Sequence, residues 1–370
     1  MGLYDVWLDI REKCLTSTGF HKFALDFPLT RPIVRKRQSE VFDFVSGFVY
    51  SQILFSCVKL GLLHHERVRG KGATLADLCE ITGLGADEAY RLARGAASMR
   101  ILEERHERFR LGDLGAALSQ NKGACAMILH HDALYKDMTD PIAMLSEGRK
   151  QTNLSRYWDY ALSLDPASAS AEDVSAYSDL MSSSQQDVSE EVIASCDFAA
   201  FNRMLDIGGG QGTFATNVAK AFPELQVAVF DLPPVIERGR DRQKSGGADS
   251  RIEFFGGSFF DDQLPRGADL MTLVRILHDH DDAPAQKIIN AAFEALPPGG
   301  TLLIAEPMST GGHAARISDA YFNFYLYAMG SGKPRKPEEL KKMLKNAGFA
   351  YAERKSTRSP FTCSMIVAQK

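Results

Sequence analysis

Near residue 205 a short apolar run ends in Leu205-Asp206-Ile207-Gly208-Gly209-Gly210-Gln211-Gly212, and TFATNVAKAF follows with helical spacing. A strand that enters a glycine-rich loop and leaves as a helix lets backbone approach a ligand closely. The segments after it repeat the alternation. LQVAVFDLP, RIEFFGG, ADLMTLVRIL and GTLLIAEP are short runs of Leu, Ile, Val and Phe, separated by helical stretches such as APAQKIINAAFEAL. Uniformly apolar strands alternating with helices imply a mainly parallel sheet covered on both faces, hence an α/β fold of Rossmann-like type.

The chain before this region reads differently. Residues 1 to about 170 are helix after helix. In TLADLCEITGLGADEAYRLARGAASMRILEE, Thr74 and Asp77 cap a short helix, Gly83–Gly85 turn the chain, and Ala86–Ser98 form a second helix. RILEE and RFRLG then read as a hairpin, giving a winged helix-turn-helix pattern. The expected division is therefore a mainly α domain over 1–170 and a cofactor domain over 171–370, with the boundary in the Ser-, Ala- and Asp-rich stretch after Pro166.

The net charge of -4 argues against a nucleic-acid binder, and the helix after the turn opens on Asp87 and Glu88 with only Arg91 and Arg94 to meet phosphates. The six cysteines are scattered with no CxxC pair, which reads as reduced cytoplasmic thiols and not a disulfide or zinc framework. The N-terminus has no apolar region of secretory type, and no apolar run is expected to approach the roughly 18–20 residues that span a bilayer.

Two constellations carry chemistry. The first is the glycine loop with its acids. An NAD fingerprint would place Gly or Ala at Thr213 and a pyrophosphate at the helix N-terminus. Here Asp206 precedes a compact GxGxG, where its carboxylate disfavours a diphosphate and favours a cation such as the ammonium end of S-adenosylmethionine. Asp231, closing the next strand, is placed to accept hydrogen bonds from ribose hydroxyls.

The second constellation is Arg275-Ile276-Leu277-His278-Asp279-His280-Asp281-Asp282, at the carboxyl end of a strand, where open α/β sheets place ligands. His278 is a candidate general base. Glu306, ending the following strand, could orient it by hydrogen bond or could be a solvated strand end. The acids and histidines at i, i+2 spacing also raise a metal, but they do not converge as HxxxH on a helix does, and no metal is expected.

The glycine motif, FDLP, GGSFF, LHDHDD and GSGKPRK resemble the plant-type and bacterial S-adenosylmethionine-dependent O-methyltransferases across the cofactor domain. The winged-helix segment is similar to that family's dimerisation domain. LYDVWLDIREKCL, FPLTRPIVRKRQ, GFVYSQILFSCVKLGLL and YFNFYLYAMGSGKPRK resemble one branch, the bacterial hydroxyneurosporene and demethylspheroidene O-methyltransferases of carotenoid synthesis.

The resemblance implies His278 as proton acceptor with Glu306 beside it, and Asp206, Gly208, Gly210, Asp231, Leu232, Ser258, Phe259 and Arg275 around the cofactor, whose product is S-adenosylhomocysteine. It implies Tyr135, Tyr177, Met181, Tyr325 and Met329 around the acceptor. Against the plant pattern, Ser258 replaces an Asp, His280 replaces a Trp, Pro334 replaces a Glu that helps hold the catalytic His, and Met329 stands where many phenol-methylating members have Asn. The Ser258 change bears on adenine recognition, and the last two make the acceptor side less polar and leave Glu306 as the support for His278.

The acceptor is thus a large apolar molecule bearing a hydroxyl, with a 1-hydroxy carotenoid the leading class. A phenol, polyketide or tetrapyrrole is the alternative, and a winged-helix regulator that only binds the cofactor is a third reading. The apolar stripe of Phe42, Phe44, Val45, Phe48, Val49, Ile53 and Phe55 predicts a homodimer through the N-terminal domain. Phe20, Phe23 and Phe27, followed by Arg31, Arg35, Lys36 and Arg37, suit either a peripheral membrane contact or packing on a partner subunit.

Overall fold

The computed structural model describes residues 2–146, 148, 152–156, 185–312, 316–358 and 363–370. It divides into two compact units, Met1–Gln120 and Asn121–Lys370. The boundary expected near residue 170 lies outside the described residues. The helices between Asn121 and Ser146 count with the larger unit, not with the helices before them.

The first unit begins with α1 (Leu3–Thr16), α2 (Thr18–Asp26) and the 29-residue α3 (Arg31–Lys59). The uncharged Ser46, Gly47, Ser51 and Gln52 interrupt the apolar stripe of α3 but not its helix. By length and composition α3 is therefore apolar enough to cross a membrane, which corrects the expectation that no apolar run approaches that length. Its stripe is largely uncovered: Phe42, Phe44 and Phe48 expose 64%, 70% and 73% of their surface, and only Cys57 and Val58 near its end are buried. Arg31 departs from the cationic cluster expected of it. Its guanidinium donates to the carbonyls of Leu25 and Asp26 at 2.9 and 2.8 Å and so caps the end of α2.

The winged-helix pattern forms as read. After α4 (Glu66–Arg69), the helix α5 (Leu75–Thr82) opens on a capping box: the Thr74 hydroxyl accepts from the Asp77 amide, and the Asp77 carboxylate accepts from the Thr74 amide. Gly83 ends it in the left-handed conformation, and α6 (Ala86–Ser98) follows. The hairpin of β1 (Leu102–Arg105) and β2 (Arg108–Leu111) turns through His106 and Glu107, both at positive φ, as a two-residue turn requires. Arg91 pairs with Asp87 at 2.6 Å and Arg94 pairs with Glu104, so both arginines of α6 are engaged by carboxylates. The unit closes with α7 (Asp113–Gln120).

The second unit opens with α8 (Lys122–Asp137) and α9 (Pro141–Ser146) and is built on a seven-stranded sheet. Its strands are β3 (Arg203–Ile207), β4 (Gln226–Asp231), β5 (Glu253–Gly256), β6 (Leu270–Val274), β7 (Thr301–Glu306), β8 (Tyr351–Lys355) and β9 (Ser364–Gln369), in the spatial order β5-β4-β3-β6-β7-β9-β8. The five strands from β5 to β7 are parallel, while β9 runs antiparallel to both β7 and β8. Residues of β6 and β7 are buried throughout, as expected of strands covered on both faces. The covering helices are α10 (Thr213–Ala221), α11 (Pro233–Lys244), α12 (Asp282–Ala295) and α14 (Pro337–Ala347), while α13 (Asn323–Met329) packs with α8 and α9. Successive crossovers from β3 go to β4 on one side and return to β6 on the other. The β3–β6 junction is therefore the topological switch point, where such sheets open a crevice at their carboxyl ends.

Candidate active site

The glycine loop leaves β3 at this switch point. Gly208 and Gly210 sit at φ 71° and 60°, where a side chain would strain the backbone. A Cβ on Gly208 would also stand 2.5 Å from the Ile276 side chain, so a glycine lets the loop close against the segment carrying His278. Beneath the loop Asp206 is 1% exposed. It lies in register with Thr272 of β6, whose hydroxyl donates to Oδ1 at 2.7 Å, while Oδ2 has no hydrogen-bond partner. Burial, with a smaller contribution from the Asp231 charge, pushes the Asp206 carboxyl up to about 7, and the Thr272 hydroxyl opposes the shift. An orphaned, buried carboxylate oxygen under a glycine loop fits a cationic ligand.

Asp231 ends β4 and ties the crevice together. One carboxylate oxygen accepts the Gly210 amide at 2.8 Å and the other accepts the Leu232 amide at 2.7 Å. Burial raises its pKa while these two amides lower it. Each oxygen retains a lone pair for a ribose hydroxyl. Ser258 is turned inward on its own loop: its hydroxyl donates to Asp261 at 3.0 Å and its amide to Asp262 at 2.8 Å. Phe259 and Phe260 meet the ring of His280 edge-on at 5.7 and 5.3 Å, an aromatic cluster in which His280 fills the place expected of a Trp. Arg275 sits at φ 58°, unusual for a non-glycine, and its amide donates to the Ala305 carbonyl at 2.8 Å.

His278 follows in a short 3-10 turn and is buried at 4% exposure. Its relation to Glu306 differs from the one read from sequence. Glu306 accepts the backbone amide of His278 at 3.0 Å, whereas the ring Nδ1 is 3.6 Å from the same Oε2, too far for a hydrogen bond. Ring Nε2 faces Asp279 Oδ1 at 3.1 Å. The imidazole thus stands between two carboxylates, and the sequence offered Asp279 only as one acid of the metal alternative. Being the immediate neighbour of the histidine, it gave no spacing signal.

The acceptor-side residues divide. Tyr325 and Met329 are buried in one apolar cluster with Leu134, Met144 and Leu154. Tyr135 lies edge-on to His131 at 5.9 Å. Tyr177 and Met181 lie outside the described residues. The structure adds His130, His131 and Tyr321: His130 Nε2 is 3.0 Å from the Tyr325 hydroxyl and His131 Nε2 is 2.7 Å from the Tyr321 hydroxyl. Burial lowers the His130 pKa to about 4 and lowers that of His131, so both imidazoles are neutral at neutral pH. The sequence signal was present, as adjacent histidines on one helix and tyrosines four residues apart, but only the fold places Tyr325 of α13 and Tyr321 of the π-helical turn Arg316–Phe322 beside α8. Among the described residues no three His, Cys, Asp or Glu side chains gather as a metal-ligand set.

An acid-floored glycine loop, an acid closing the next strand and a histidine at the switch point define a Rossmann-like methyltransferase that uses S-adenosylmethionine. Comparison with known proteins agrees. The family described as the O-methyltransferase domain matches residues 135–350. The chain is 38% identical to demethylspheroidene O-methyltransferase of Rhodobacter capsulatus over 96% of its own length and 88% of the relative's. It is 36% identical to the enzyme of the same name from Cereibacter sphaeroides, over 95% and 92%. Human N-acetylserotonin methyltransferase, solved with its methyl donor, shares the fold with a TM-score of 0.74 at 22% identity, covering 90% of this chain and 97% of that one. The mitomycin 7-O-methyltransferase shares it with a TM-score of 0.73 at 22% identity, covering 92% and 100%. The chain belongs to the O-methyltransferase family and is an S-adenosylmethionine-dependent methyltransferase.

Proposed function

We propose that this enzyme methylates a hydroxyl of a large apolar acceptor, a 1-hydroxy carotenoid of the demethylspheroidene type, with His278 as general base. The observation that carries the reading is identity of 36–38% spread over nearly the whole chain to two demethylspheroidene O-methyltransferases. The apolar cluster of Tyr325 and Met329 is consistent with such an acceptor.

Bound S-adenosylmethionine supplies an electrophilic methyl group on a sulfonium. Asp206, the glycine loop and Asp231 would hold its cationic and ribose parts. The chain's own task is then to place the acceptor oxygen in line and remove its proton. A tertiary alcohol is far less acidic than a phenol, so the proton must leave as the O–C bond forms. In this reading the Nδ1–H of His278 faces Glu306, and Nε2 takes the proton when the acceptor hydroxyl displaces Asp279, which is partly exposed and able to turn. The positive charge gained by the ring is then faced by the Glu306 carboxylate, 3.6 Å from Nδ1. A positioned base of this kind contributes about 10²–10⁴-fold.

The N-terminal unit acts, in the same proposal, as the dimerisation module, with α3 meeting its counterpart in a second copy. Its engaged arginines, Arg91 and Arg94, leave α6 little with which to hold phosphates. The enzyme works on the cytoplasmic side and reaches its acceptor through a peripheral contact of α2.

The test is methyl transfer from labelled S-adenosylmethionine with product identified by mass. Offered a 1-hydroxy carotenoid and a panel of phenols, the enzyme should give the carotenoid methyl ether. Labelling of a phenol with none of the carotenoid would overturn the substrate assignment and leave the enzyme class standing.

A further inference from the structure

The segment after α13 runs across the turn that carries His278. Four consecutive carbonyls of that turn are each met by a donor from Ser331–Arg335. The Leu277 carbonyl accepts Arg335 Nη1 at 2.6 Å. The His278 carbonyl accepts the Lys333 amide at 2.9 Å. The Asp279 carbonyl accepts the Ser331 hydroxyl at 2.5 Å, and the His280 carbonyl accepts Arg335 Nη2 at 2.6 Å. Asp281 accepts the Gly332 amide at 3.1 Å, while Asp282 accepts Lys333 Nζ at 2.9 Å and Arg335 Nε at 3.0 Å. A Cβ on Gly332, at φ 84°, would fall 2.0 Å from the His278 carbonyl oxygen, so the approach is as close as backbone allows.

Arg335 is the centre of this arrangement and is fully buried. Burying a guanidinium is costly unless its donors are met, and here Nε, Nη1 and Nη2 all are. The planar fork spans from Leu277 to His280, bracketing His278, a reach the single ammonium of Lys cannot reproduce. On the opposite side Glu306 fixes the His278 amide. The backbone of the histidine is thereby pinned at both its N–H and its C=O, although its ring has no hydrogen bond to Glu306. In a turn of three residues, small backbone rotations would swing the imbedded ring away from its line to the acceptor, and a shift near 1 Å can cost about 10²-fold in rate.

We infer that Arg335 is a positioning residue for methyl transfer, and that Ser331–Arg335 serves as a backbone template holding the His278 turn in its reactive form. The inference rests on His278 being the base.

The experiment compares Arg335→Lys, Ser331→Ala, His278→Ala and the two double variants containing His278→Ala. Each is measured for single-turnover rate, for S-adenosylhomocysteine affinity by calorimetry and for thermal midpoint. Positioning predicts that Arg335→Lys loses about 30-fold or more in rate and Ser331→Ala about fivefold, with cofactor affinity within about threefold of wild type. It further predicts that neither substitution slows a protein already lacking the His278 ring, because residues acting through one group are not additive. Should Arg335→Lys fail to fold, Ser331→Ala, which removes one donor and no buried charge, carries the same two expectations. Equal proportional losses with and without the His278 ring, or a wild-type rate in a folded Arg335→Lys protein, would overturn the inference. A wild-type rate in His278→Ala would instead overturn the assignment of the base.

Discussion

The buried Asp206 makes the affinity for the cofactor depend on pH in a way that can be worked out. Its carboxyl titrates at about 7 in the folded protein against an ordinary value of 3.8. A raised native pKa means that the folded state holds the proton more tightly than the unfolded chain. The favourable contribution to stability is complete below 3.8 and is lost as pH rises to about 7. Roughly three pKa units at about 1.4 kcal/mol each set an upper bound of about 4 kcal/mol on that loss. A cationic ligand prefers the ionised carboxylate, so binding below pH 7 must first expel the proton. With a pKa of 7, the fraction ionised falls about eightfold from pH 7.5 to pH 6, and affinity should fall with it. Asp206→Asn should raise the thermal midpoint of the ligand-free protein at pH 7.5 by several degrees, weaken binding there, and flatten this pH slope. Calorimetry with S-adenosylhomocysteine at both pH values, in buffers of different ionisation heat, reads affinity and proton release together. The ligand's own amino group titrates alike against both proteins, so the difference between them isolates Asp206. Equal slopes for wild type and Asp206→Asn, or no proton release by wild type at pH 6, would refute the reasoning.

Three further outcomes follow from the same structure. Asp231→Ala should weaken cofactor binding by about 1–3 kcal/mol, since it removes the acceptor that joins Gly210 to Leu232, and calorimetry checks it. Light scattering at micromolar concentration should return a dimer mass, and a Phe42→Glu, Phe44→Glu, Phe48→Glu variant should return a monomer; a monomeric wild type would contradict the interface on α3. Co-sedimentation with anionic vesicles should decrease with salt and again when Arg35, Lys36 and Arg37 become Gln. Equal recovery in the supernatant with and without vesicles would leave Phe20, Phe23 and Phe27 to a partner subunit.

The architecture of the larger unit was legible because each apolar run has one structural use. Leu270–Val274 and Thr301–Glu306 are too short for buried helices and alternate with helical stretches, as strands covered on both faces do, and the glycines after Ile207 fix the turn between strand and helix. Asp206, Asp231 and His278 were legible for the same reason, since a strand's carboxyl end is a position that sequence alone can locate. What could not be read was the partner of each side chain. Glu306 was expected to hold the ring of His278 and holds its backbone instead, because β7 places the carboxylate beside the amide. The role of Arg335 and the pairing of His130 and His131 with Tyr325 and Tyr321 depend on contacts across 58 to 195 residues that no local pattern encodes, and Asp279, next to His278 in the chain, carries no spacing signal. The apolar stripe of α3 was visible, but its continuity through Ser46, Gly47 and Ser51 emerged only as a helix.

The most direct test of the account is the single-turnover rate of methyl transfer to a 1-hydroxy carotenoid in His278→Ala against wild type, at saturating cofactor. The account predicts a loss of at least about a hundredfold with S-adenosylhomocysteine affinity nearly unchanged, because the imidazole removes the proton while Asp206 and Asp231 hold the cofactor. A rate within a few-fold of wild type would contradict it and leave His278 as a wall of the site.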